Sequence, residues 1–140
     1  MERESNIFVN QIGYKTFGNK IAYVKADCGS NEFSLIDEQE KVVFTAALTK
    51  RRDDELSPFS TVCADFSTFT QKGKYCLKIG HEKSFSFEIA DNVYDNLYYS
   101  VLNYFYLSRC GEEISDKTPS NNGVWNRPAC HTGIAEIYGT

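Results

Sequence analysis

No apolar run among the 140 residues approaches the ~20 needed to cross a bilayer, which excludes an ordinary transmembrane helix. Basic charge is not in excess either: 15 Lys+Arg against 19 Asp+Glu leave a net charge of −4. Only Lys50-Arg51-Arg52 clusters, so the chain has no electrostatic footprint for nucleic acid. The opening Met1-Glu2-Arg3-Glu4-Ser5-Asn6 has neither a basic n-region nor an apolar h-region, and no secretory signal is read there. Histidine occurs only twice, and five cysteines are an odd count, which excludes a complete intrachain disulfide framework. What is present is ordinary globular material: 41% apolar, 14% aromatic and 24% charged. A chain of this length buries roughly 70% of its unfolded surface, enough for one core.

The first ninety or so residues read as short strands between turn residues. Ile7-Phe8-Val9 leads into Asn10-Gln11-Ile12-Gly13-Tyr14, a bend marked by glycine. Ile21-Ala22-Tyr23-Val24 follows, and Phe33–Asp37 and Val42–Thr45 flank a polar hairpin loop. Lys50 to Pro58 reads as a long surface connection, its mixed Lys50-Arg51-Arg52/Asp53-Asp54-Glu55 block a solvated face. Val62–Phe66 and Tyr75–Ile79 come next, the latter entered through Gly73. In Ser84–Ile89 strict alternation predicts Phe85, Phe87 and Ile89 on one face. Seven short strands with turns roughly every 8–12 residues predict a β-sandwich.

The period then changes. From Asp91-Asn92, either of which suits a helix cap, the chain runs to Cys110 without Gly or Pro. Gly111 suits the C′ position just past the helix end. Tyr94, Leu97, Tyr98, Tyr99, Val101, Leu102, Tyr104, Phe105, Tyr106 and Leu107 leave no clearly polar face. A helix apolar nearly all round requires cover on several sides, and one small sandwich covers only one. The cover is more chain, a second copy or another protein. After a polar Glu112–Trp125 loop the chain continues to Thr140 without structural punctuation, and the second segment reads as a truncated domain.

Cys110, Cys130 and His131 form the main chemical cluster. Thiolate and imidazole are preferred zinc ligands, but a structural site needs four and the spacing matches no common finger. Buried thiols beside a loop histidine are the competing reading. A Cys/His nucleophile is weaker, because neighbouring side chains rarely present each other productively. Cys28, Cys63 and Cys76 sit in or beside strands and read as buried thiols, a bridge between sheets being the alternative. Glu112, Glu113, Asp116 and Glu136 show no paired spacing and read as solvated charges. Trp125 suits a packing anchor better than a sugar platform.

A family resemblance enters on particular residues. Asn10–Tyr14, Lys20-Ile21-Ala22, Gly73-Lys74-Tyr75 and Ser84–Ile89 resemble the N-terminal immunoglobulin-like domain of family 9 glycoside hydrolases, the cellulase family. Tyr104–Gly111 resembles the first helix of that family's (α/α)6-barrel catalytic domain. Pro128–Gly133 and Tyr138-Gly139-Thr140 resemble the stretch after it. The implied architecture is mainly β: an immunoglobulin-like sandwich over 1–91, then over 92–140 one long helix and a loop from the start of the barrel. The resemblance also implies a structural zinc on Cys110, Cys130 and His131, with a fourth ligand from a histidine beyond Thr140 and no metal required for chemistry.

The implied parent hydrolyses β-1,4-linked glucan by inversion, with a β-glucan substrate held by the barrel. Inverting carboxyls stand ~6.5–9.5 Å apart, and none of the family's catalytic positions falls in this sequence. Glu136 does not fill that role, so no catalytic residue is assigned and the chain alone is expected to be inactive, its sandwich structural. The rival readings are a carbohydrate-binding β-sandwich and an intracellular exo-acting β-glucosidase or glucosaminidase of the same family. Secretion follows from the family resemblance, a cytoplasmic location from the unread leader, and both stay open.

Overall fold

β-Branched and aromatic runs broken by glycine and polar turns produce short antiparallel strands, because each run is long enough to cross one small core and no more. The computed structural model describes residues 5–53, 56–115 and 123–134. Asp54, Glu55, Asp116, Glu136 and Tyr138-Gly139-Thr140 lie outside the described residues. The strands are β1 (Ile7–Phe8), β2 (Ile21–Lys25), β3 (Glu32–Ile36), β4 (Val42–Ala47), β5 (Thr49–Arg52), β6 (Thr61–Asp65), β7 (Gly73–Ile79), β8 (Glu82–Lys83) and β9 (Phe87–Ile89), followed by helix α1 (Asp95–Leu107). One sheet has the order β1-β2-β6-β5, the other β4-β3-β7-β8 with β9 also on β7. The chain divides into two compact units, Met1–Tyr94 and Asp95–Thr140.

In the first unit the two sheets share one core. Ala22, Val24 and Ala64 from one sheet and Leu35 and Leu77 from the other are fully buried. Aromatic rings fill the space between them: Tyr14 meets Phe66 edge-on at 5.0 Å and Phe87 at 5.2 Å. The Tyr14 hydroxyl accepts from the backbone N–H of Asn10 at 2.9 Å and donates to the carbonyl of Ile21 at 3.1 Å, so its polar end is satisfied. Burial pushes its phenol pKa up. Lys20 is buried as well. Its ammonium donates to the carbonyls of Thr16 at 2.8 Å and Gly18 at 3.2 Å, an internal cap on the loop before β2. Burial pushes that ammonium's pKa down.

Four sequence expectations change here. Thr49–Arg52 is not loop but β5, paired to β6 through Thr49–Cys63 and Arg52–Thr61. An edge strand is held by backbone hydrogen bonds and tolerates charge, so hydrophobic periodicity does not reveal it. Phe85 does not join Phe87 and Ile89 inside. Ser84 is buried instead, its hydroxyl accepting from Leu77 N at 2.9 Å and donating to Phe85 O at 2.7 Å, and this detour leaves Phe85 48% exposed. Asp91 is not a helix cap: its carboxylate pairs with Lys72 at 2.6 Å, and α1 begins at Asp95. The helix also ends at Leu107, short of Cys110. Cys28, Cys63 and Cys76 are thiols, with Cys63 buried and the other two half-buried.

Most of the apolar residues of α1 are exposed. None of its residues is buried, and Tyr98, Tyr99, Tyr104 and Phe105 are 61%, 68%, 66% and 64% exposed. With Trp125, the helix residues Tyr99, Leu102 and Tyr106 line an open groove of about 620 Å³.

Candidate metal centre

The second unit is organised around the C-terminal end of α1. Its last turn tightens as Arg109 N donates to Tyr106 O at 3.2 Å. The free carbonyls that follow go to a side chain. The guanidinium of Arg127 donates to Leu107 O at 2.9 Å and also to Arg109 O, placing a cation where the helix dipole is negative. Gly111 therefore does not serve as a C′ residue. At φ +81° it turns the chain so that its N–H donates to Cys130 O at 2.8 Å.

The returning strand is fixed by a two-way bridge, Ile114 N to Arg127 O at 2.9 Å and Arg127 N to Ile114 O at 3.0 Å. Ile114 is buried beneath it. The Tyr106 hydroxyl reaches the backbone of Ser115. Glu112 pairs with Arg109, and Glu113 is exposed.

These constraints bring Cys110, Cys130 and His131 together, their ligand atoms all within 4.8 Å of one another. Two of the three are neighbours in sequence, an arrangement that ordinarily points side chains apart. His131 overcomes it by adopting φ +55°, a left-handed conformation uncommon for a residue with a Cβ. The Cys130 thiol pKa is lowered, first by its hydrogen bond to His131, then by the Gly111 N–H, the Arg127 charge and Cys110. Tetrahedral zinc, with bonds of about 2.3 Å to sulfur and 2.0–2.1 Å to nitrogen, requires ligand atoms some 3.5–3.8 Å apart. The cluster is within about an ångström of that spacing, and its Cys2His donor set suits zinc. His81, the other histidine, sits in the β7–β8 turn of the first unit.

The sequence brought out the three candidate ligands but not Arg127, which holds the helix end and donates to Cys130 Sγ at 3.3 Å. Its only signal was a cation three residues before a candidate ligand.

The cellulase N-terminal Ig-like domain model matches residues 2–84. Among relatives, a cellodextrinase of Butyrivibrio fibrisolvens is 32% identical over 133 residues, 95% of this chain and 23% of its own length. Endoglucanase D of Acetivibrio thermocellus is 32% identical over 136 residues, 96% of this chain and 21% of its own length. The chain thus spans between a fifth and a quarter of these relatives. Among solved structures, the Bacteroides ovatus GH9 protein superposes with TM-score 0.73 at 31% identity, covering 89% of this chain and 22% of that one. AaCel9A in complex with cellobiose-like isofagomine gives TM-score 0.78 at 26% identity, covering 98% and 24%. A Zn-binding triple mutant of the GH family 9 endoglucanase J30 gives TM-score 0.73 at 26% identity, covering 84% and 21%. With an antiparallel sandwich over the matched residues and GH9 enzymes as its relatives, the chain belongs to the cellulase N-terminal Ig-like domain family.

Proposed function

We propose that this chain is the N-terminal part of an inverting, β-1,4-glucan-hydrolysing enzyme of glycoside hydrolase family 9, and that its sandwich has a structural role. The observation that carries the reading is the reach of the similarity. The relatives named as a cellodextrinase and an endoglucanase match 95% and 96% of the chain, beyond the sandwich and into the second unit. On this reading residues 1–91 are the immunoglobulin-like domain and 92–140 the opening helix and loop of the catalytic barrel. The exposed apolar surface of α1 is then a barrel wall, covered by the rest of the catalytic domain rather than by a second copy. No carboxylate of the chain is assigned to the chemistry. Inversion needs an acid and a base ~6.5–9.5 Å apart across the scissile bond. The pure 140-residue chain is expected to release no reducing ends from soluble cellulose, and measurable release overturns the reading.

Cys110, Cys130 and His131 would hold a structural zinc in the intact enzyme, with the fourth ligand from outside the chain. When bound, the ion supplies a cross-link between the end of α1 and the 127–131 segment rather than a reactive water. The support is the donor set gathered within 4.8 Å and a Zn-binding variant among the structural relatives.

One observation favours a second reading, glucan binding by the sandwich itself. Phe8 and Tyr23 oppose each other across β1 and β2, both exposed, and Phe59 lies parallel to Phe8 with ring centroids 6.3 Å apart. Lys25 sits 4.9 Å over the Phe59 ring. Affinity electrophoresis on soluble glucans separates the two roles: retardation lost on Phe8→Ala supports binding, and unretarded wild-type chain leaves the structural role.

A further inference from the structure

Arg127 is tied to three places in the second unit at once. Its backbone is locked to Ile114 on both sides. Its Nη2 donates to Leu107 O at 2.9 Å and to Arg109 O at the end of α1. Its Nη1 donates to Cys130 Sγ at 3.3 Å. One rigid fork therefore joins the carbonyl just before Cys110 to the sulfur of Cys130. The two thiol ligands lie on separate segments, and what sets their separation is this side chain together with the Gly111–Cys130 backbone bond. Arginine suits the task because its planar guanidinium stays charged and offers several donors in fixed directions.

We infer that Arg127 is the positioning residue of the metal centre, an inference that rests on the reading of Cys110, Cys130 and His131 as ligands. It holds Cys130 Sγ toward Cys110 and His131 before any metal arrives, so the site is organised in advance. Its N–H takes up sulfur electron density not directed to the ion. Lysine cannot replace it fully, since one ammonium does not present a planar fork to two helix carbonyls and a sulfur. Outer partners of metal ligands commonly contribute 10–100-fold in affinity, roughly the effect assigned here.

The test compares the 140-residue wild type with Arg127→Met and Arg127→Lys. Zn(II) and Co(II) affinities are measured by competition with a chromophoric chelator, alongside the thiolate-to-Co(II) charge-transfer absorption. Far-UV circular dichroism and melting of the metal-free chains report folding separately. Arg127→Met is expected to bind both ions about 10–100-fold more weakly with a displaced charge-transfer band, and Arg127→Lys to fall between it and wild type. If Arg127 only caps the helix, the variants melt earlier while affinity and band stay unchanged, and the inference fails. Should Arg127→Met not fold, the Lys variant decides: wild-type affinity and an unchanged band overturn the positioning role. Wild-type chain that binds neither ion shows that the three residues are not organised for a metal in advance, which overturns the inference.

Discussion

The hydroxyl of Tyr94 donates a 3.0 Å hydrogen bond to the carbonyl of Gly13, while accepting one from Asn10 Nδ2 at 2.9 Å. The bend between β1 and β2 thereby grips the last residue before α1. Gly13 has φ +119°, and a Cβ there would meet Glu88 O and Val93 Cγ2, each at 2.4 Å. Backbone conformation and close packing both require glycine.

Gly13→Ala is expected to destabilise the chain by about 3 kcal/mol, because the clash is with backbone and the conformation is left-handed as well. Tyr94→Phe keeps the ring and removes two hydrogen bonds, at about 1 kcal/mol. Urea unfolding monitored by circular dichroism measures both. Equal effects would mean that the bend carries no special strain.

Phe66 and Phe85 should behave as opposites. Phe66 is fully buried against Tyr14, Phe33 and Phe87, so Phe66→Ala is expected to cost about 3–5 kcal/mol. Phe85→Ala, on an exposed ring, should stay within about 0.5 kcal/mol. Ser84→Ala strands the buried Leu77 N–H and should cost about 1–3 kcal/mol. A large loss at Phe85 would restore the simple alternation and contradict the detour at Ser84.

Refolding with zinc followed by dialysis should leave substoichiometric metal, since only three candidate ligands gather among the described residues. Cys130→Ser should abolish retention, and chelation of the wild type should return it to the metal-free melting curve. Metal-free wild type by elemental analysis would count against the site.

Asp91 provides the pH test. Its hydrogen bond and ion pair with Lys72 hold its carboxyl below the ordinary value of 3.8. A depressed folded pKa means that the stabilisation is fully present above the unfolded value and is lost as pH falls through the folded one. Carboxyl NMR titration should place Asp91 below 3.8 in the wild type and return it upward in Lys72→Met. An unchanged midpoint in the variant would show that Lys72 does not cause the shift.

Composition and alternation by themselves determined the broad outcome: an antiparallel sandwich, a glycine bend at Gly13 and a helix too apolar to stand uncovered. Those features depend on short-range rules, the two-residue period of strands and the demand of apolar surface for cover. Tertiary structure decided the rest. The charged Thr49–Arg52 became a strand because its backbone had a partner in β6, which no side-chain pattern announces. The Ser84 hydroxyl took a backbone hydrogen-bonding position, and so Phe85 was turned outward. The candidate metal residues were legible as residue types, but their assembly was not. It needed the local positive φ of His131 together with the Gly111–Cys130 bond and the hold of Arg127 on Leu107 O and Arg109 O, contacts that join segments well separated in the chain.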